Sequence, residues 1–124
     1  MQYTMMFYLS PAEFSARTDP ERRAAFWGAF LPYMQAIRDA GIFAGGAGLE
    51  PSDTATTIRR KDGTRLVQDG PYADTKEQLG GFLVIEVPDL DSALGWAARY
   101  PAGPDGVVEV RPNIPSPEGE RSKC

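Results

Sequence analysis

The sequence contains no histidine, and its single cysteine, Cys124, is the last residue. The missing histidine removes the usual acid or base near neutral pH and the commonest metal ligand. It also removes any Ser-His-Asp or Cys-His arrangement. A zinc or copper site would have to be built from carboxylates alone, which such metals rarely favour. No metal and no other cofactor is therefore expected. Cys124 reads as a loose terminal thiol rather than a nucleophile, because no packing holds it beside a base. Long apolar runs are missing too: none approaches the roughly 20 residues that span a bilayer. The first nine residues lack a basic leader and read as a first strand, not a signal peptide. With one free cysteine, this points to the cytoplasm and away from membranes. Positive charge is in short supply, with 13 Lys+Arg against 17 Asp+Glu and a net charge of −4. That balance opposes a phosphate backbone as partner, so no nucleic acid is expected.

What is present suits one domain. A chain of 124 residues is long enough to bury a core without disulfides or metal. Residues 3–9 are mostly apolar and end at Ser10-Pro11, which reads as a buried strand. Residues 11–19 are polar and turn-like. Thr18-Asp19-Pro20-Glu21 offers two overlapping helix starts, a capping box from Thr18 or Pro20 at the first position after Asp19. Phe26, Phe30, Tyr33 and Ile37 then trace one helical face, widened by Trp27, Leu31 and Met34. So broad an apolar band predicts that part of it meets a partner subunit. Pro32 frees the Gly28 carbonyl in a continuous helix, and Gly41 supplies a left-handed stop.

Three glycines within residues 45–48 match no phosphate-binding pattern and predict a bulged strand or close backbone approach, with a groove wall as the alternative. Residues 54–60 and 64–68 form a hairpin across Asp62-Gly63. Residues 82–87 are almost continuously apolar and predict a central strand. Asp89 caps a helix with Leu90, Ala93, Leu94 and Ala97 on one face. Residues 107–111 make a last strand. The domain spans 1–112, and 113–124 reads as a mobile tail. Two helices on one face of a mostly antiparallel sheet make an α+β domain, most simply a ferredoxin-like two-layer sandwich. Its open, apolar sheet face predicts a homodimer.

The chemistry-bearing residues gather around the connector 69–82, which reads Asp-Gly-Pro-Tyr-Ala-Asp-Thr-Lys-Glu-Gln-Leu-Gly-Gly-Phe. It is far longer than a hairpin needs. Asp69 reads as a turn-forming carboxylate or as a general acid or base. Asp74 and Thr75 offer a cap for one short helical turn. Tyr72 supplies a ring and a hydroxyl, Lys76 a charge for an anionic ligand, and Glu77 a second carboxylate for proton transfer; Lys76 and Glu77 read equally as a solvent-facing pair. Arg59 and Arg65 flank the hairpin and approach each other in one register. Glu109 and Arg111 alternate with Val108 and Val110, so they share a face, where Glu86 is a candidate neighbour; a solvated edge strand explains them as well.

Residues 69–82, continuing through 83–101, 106–112 and 54–59, resemble the YCII-related family and within it the DGPF-domain branch. The resemblance covers roughly residues 1–112. It implies a dimeric α+β barrel of ferredoxin-like subunits. Some relatives are proposed to be enzymes on the strength of a histidine–aspartate pair, which a chain without histidine cannot carry. Tyr72 stands where the branch has its name-giving phenylalanine. An association of the branch with extracytoplasmic-function sigma factors implies an accessory role. The expected function is a cleft beside 69–77 for a small polar or anionic metabolite. In an enzyme, Asp69 or Glu77 moves the proton there, and Lys76 or Arg59 offsets substrate charge, with Tyr72, Glu109 and Arg111 as ligand contacts. The alternatives are a non-enzymatic binding or regulatory module, and a purely structural role for the connector.

Overall fold

A computed structural model describes residues 1–73, 75–103 and 106–115. The strand β1 (Gln2–Leu9) alternates without exception: Tyr3, Met5, Phe7 and Leu9 are buried, and Gln2, Thr4, Met6 and Tyr8 are half-buried. Side chains on a strand alternate between faces, so β1 divides the molecule into two sides. The first helix, α1 (Pro11–Ala16), falls where a polar turn is expected. Its start carries a complete capping box, with Glu13 N–H donating to Ser10 Oγ and Ser10 N–H to Glu13 Oε1, and Phe14 anchors it in the interior. Ser10-Pro11-x-Glu13 is the capping pattern in plain sight.

The signals at residues 18–21 serve a turn instead of a helix start. Asp19 Oδ1 accepts the Glu21 N–H (2.9 Å), and α2 (Arg23–Asp39) begins only afterwards, without a side-chain cap. Pro32 lies within this one continuous helix, which buries Tyr33, Met34 and Ile37. Its end is a Schellman motif: Gly41 has φ +71°, its N–H donates to the Arg38 carbonyl, and the Ile42 N–H reaches the Ile37 carbonyl.

Strand β2 (Phe43–Gly48) carries a bulge between Phe43 and Gly45. A Cβ on Gly46 would stand 2.5 Å from the Phe82 carbonyl, so the glycines there let two backbones approach closely. A short 3-10 turn at Ser52–Thr54 leads into β3 (Thr56–Lys61) and β4 (Thr64–Asp69), which among the described residues pair only with each other. Asp62 and Gly63 both take positive φ, 51° and 77°, as a tight I′ hairpin requires. Next come β5 (Gln78–Glu86), α3 (Leu90–Arg99) and β6 (Val107–Pro112). Asp89 caps α3 by accepting the Ser92 N–H at 2.9 Å. The apolar face expected of α3 is displaced: Ala93 is buried and Trp96 and Ala97 pack on the core, while Leu90 and Leu94 stay exposed. The tail expected over 113–124 is described only to residue 115, where the Asn113 N–H still donates to the Gln2 carbonyl at 2.9 Å; Cys124 lies outside the described residues.

The main sheet is antiparallel in the order β2-β5-β1-β6, so β5 and β1 are central. Helices α2 and α3 bury the Tyr3, Met5 and Phe7 side of it, with Leu83, Ile85, Tyr33 and Ile37 in the same cluster. The fold is α+β, but the expected dimeric α+β barrel is overturned. Four strands form an open sheet whose edges, β2 and β6, do not pair with each other among the described residues, so the sheet is not closed into a barrel. The structure is a single chain and gives no evidence of a dimer. The other sheet face carries Thr4, Met6, Tyr8, Phe82, Val84, Glu109 and Arg111.

Candidate functional site

The connector after β4 does not run off into solvent; backbone pairing folds it back. The Gly70 N–H donates to the Ala55 carbonyl (2.7 Å), and the Thr57 hydroxyl donates to the Gly70 carbonyl (2.8 Å). This pins the connector beside the end of β1 and leaves a cavity of about 530 Å³, lined among others by Tyr8, Thr57, Tyr72, Glu77, Gln78 and Leu79. That volume falls within the usual range for small-molecule sites, roughly 300–1,000 Å³. Among the described residues between 72 and 77 no helical turn forms. Instead the Thr75 hydroxyl donates to the Glu77 carbonyl at 2.6 Å; Asp74, the other proposed cap, lies outside the described residues.

One wall is held rigidly. Tyr8 pairs with Val107 and Met6 with Glu109, so Tyr8 and Glu109 are diagonal neighbours on the open face. The Tyr8 hydroxyl donates to Glu109 Oε1 (2.9 Å), and Arg111 Nη2 donates to Glu109 Oε2 (2.8 Å). The Arg111 and Tyr8 bonds stabilise the carboxylate and lower the Glu109 pKa below its ordinary value. The same carboxylate raises that of Tyr8, chiefly because the hydroxyl must keep its proton to donate. With both oxygens engaged, Glu109 acts as a fixed acceptor that orients Tyr8, not as a free base. The opposite wall carries Tyr72, whose ring lies 4.8 Å from the Arg59 guanidinium carbon.

The sequence-derived residues therefore divide. Tyr72 and Glu77 line the cavity; Arg59 sits on Tyr72, and Glu109 and Arg111 act on it through Tyr8. Lys76 turns the other way and lines a neighbouring cavity of about 410 Å³ with Leu9, Phe14, Thr18 and Asp53. Asp69, exposed at the end of β4 opposite Thr56, lines neither cavity. Glu86 does not join Glu109 and Arg111: β1 separates β5 from β6, and the carboxylate pairs with the Met1 amino group. Arg65 faces Arg60 across the hairpin, and Arg59 faces Leu66.

Tyr8, Thr57 and Gln78 escaped sequence reasoning. The one available signal was the position of Tyr8 on the face opposite Phe7, and its meaning depended on a register that sequence does not fix. The glycine pair Gly80-Gly81, expected in the connector, lies inside β5 and has a geometric cause. A Cβ on Gly80 would stand 2.5 Å from Leu9 Cδ1 and 3.1 Å from Arg17 Nη2, and one on Gly81 would stand 3.0 Å from the Ala47 carbonyl. Among the described residues no cluster of acidic or cysteine side chains suited to a metal occurs, and no helix is long and apolar enough to cross a membrane.

These features define a small α+β protein with a ligand-sized cavity beside an elaborate strand connector. The chain belongs to the YCII-related family, whose domain profile matches residues 1–116. It is also similar to an uncharacterised protein of Rhizobium meliloti (strain 1021), at 45% identity over 76 residues. That match covers 60% of this chain and 61% of the relative, so it spans less than two thirds of either protein.

Proposed function

We propose that this protein binds a small polar metabolite in the cavity bounded by Tyr8, Tyr72 and Glu77. The observation that carries the reading is Tyr8, which lines a ligand-sized space and is held in place by a doubly bonded Glu109. A side chain that is merely structural gains little from such fixing, whereas a recognition group loses less entropy on binding when it is preorganised. Tyr72 supplies a ring face stiffened by Arg59, and Glu77 supplies an acceptor for hydroxyl or ammonium groups. The likeness of residues 69–82 to the DGPF branch supports the same stretch as the functional one. A cytoplasmic location fits a sequence with a single cysteine.

Binding is favoured over proton transfer because Glu109 is committed to two donors and Asp69 lies outside the cavity. Of the earlier candidate carboxylates Glu77 lines it, and Glu50 shares the lining, so any proton transfer runs through one of these two. A metabolite library screened by thermal shift tests the reading against wild type, Tyr8→Phe and Glu77→Gln. A compound that raises the melting temperature of wild type and fails on both variants supports it. Stabilisation by every hit regardless of these substitutions would overturn it. Incubating each hit with protein and following it by NMR separates a binding module from an enzyme.

A further inference from the structure

Phe7 is the neighbour of Tyr8 on β1 and points to the other side of the sheet. There it lines a cleft of about 270 Å³ between α2 and the β2–β5 edge. Much of its wall is aromatic: Phe7, Phe26, Trp27, Phe30, Phe43 and Tyr100. Its floor includes the paired backbones of Gly48 and Gly81, which leave the cleft open where side chains would close it. At the rim Trp27, Leu31 and Phe43 remain 40%, 58% and 40% exposed. The wide apolar band of α2 thus serves this cleft.

Two cations share the lining, Arg17 and Arg38, and none of the described lining residues is acidic. In a chain of net charge −4 that is a local reversal of sign. Both guanidinium groups lie against rings. The Arg17 carbon is 5.4 Å from the Phe14 centroid and 5.6 Å from that of Phe26, and Arg38 is 5.3 Å from that of Phe43. Arg17 Nη1 donates to the Leu49 carbonyl at 2.9 Å, while its Nε is buried with no hydrogen-bond partner. Arg17 is thus partly engaged, by the Leu49 carbonyl and by a hydrogen bond with Tyr100, and its remaining N–H groups are the ones left for an anion.

We propose that this cleft binds a small apolar carboxylate of the arylalkanoate kind. Its ring lies between the aromatic walls, and its carboxylate meets Arg17, which stands at the Gly48–Leu49 end of the cleft. A neutral apolar molecule leaves the Arg17 charge uncompensated, and a purely polar anion leaves the rings wet. The site is independent of the cavity at Tyr8, so either proposal can fail alone.

Isothermal titration calorimetry with 3-phenylpropanoate and its amide, 3-phenylpropanamide, tests this on the full chain. Wild type is expected to bind the acid, with the amide weaker by roughly tenfold or more because a charge-assisted bond is lost. Arg17→Gln lowers acid affinity by a similar factor. Gly48→Leu abolishes binding of both compounds. Gly48 does not take a left-handed φ, and a Cβ there meets nothing within 4 Å, so the added side chain enters the cleft without backbone strain. Should Arg17→Gln fail to fold, the comparison of acid with amide on wild type still decides. Equal affinity for acid and amide, undiminished binding by Gly48→Leu, or no heat at millimolar acid each overturns the proposal.

Discussion

The hydroxyl of Tyr8 donates to Glu109 Oε1 across 101 residues of chain, at 2.9 Å. This bond joins the first and last strands on the open face and fixes one wall of the candidate site. Arg111 occupies the other oxygen of the same carboxylate.

The first prediction concerns that carboxylate. Carbon-detected NMR titration of Glu109 is expected to give a midpoint below the ordinary 4.5. Arg111→Gln raises the midpoint more than Tyr8→Phe does, because the arginine bond is the larger cause. A midpoint at the ordinary value in wild type would show that the three side chains do not meet in solution.

Stability is expected to fall at both ends of the pH scale. Asp89 and Glu109 have folded pKa values held below 3.8 and 4.5, chiefly by the Ser92 backbone N–H and by Arg111 respectively. Their contribution is present above those ordinary values and is lost as pH falls through the depressed ones. Tyr33 and Tyr100 are shifted the other way, above 10.0, mainly by burial. Below pH 10 both states keep the phenolic proton, and above it the unfolded chain ionises first, so stability is lost as pH rises. Urea midpoints measured across pH are expected to be flat in between. Tyr33→Phe, which removes one ionising group, is expected to soften the alkaline limb.

Two glycines in similar sequence surroundings should respond oppositely to alanine. Gly80→Ala forces a methyl into Leu9 and Arg17 and costs about 1–3 kcal/mol, the usual range for an overfilled site. Gly95 lies inside α3 with nothing within 4 Å of a new Cβ, so Gly95→Ala gains roughly 0.8–1 kcal/mol from helix propensity. Chemical denaturation of the two variants measures both signs.

Local signals were the legible part. The Asp62-Gly63 turn, the Gly41 stop and the Asp89 cap follow from backbone preferences of one or two residues. Each holds wherever the segment sits in the fold. The start of α2 misled because Thr18-Asp19-Pro20-Glu21 suits a turn as well as a cap, and the Asp19 bond to Glu21 N–H chose the turn. The capping box at Ser10 was equally readable but is followed by only six helical residues, too few to show a period. For α3, Leu90 and Leu94 fit a helical stripe, yet small Ala93 is what lets the helix sit close to the sheet.

By itself the sequence determined the type of the elements other than α1, and a long connector after β4, because propensity and periodicity are local properties. The tertiary structure alone decided which carboxylates face a common space. Strand order put β1 between Glu86 and Glu109, register brought Tyr8 onto Glu109, and the twist of the connector sent Lys76 and Glu77 into different cavities. It also left the sheet open where a closed barrel was expected. Those outcomes depend on contacts across the whole chain, and a one-residue slip in any strand would exchange its faces.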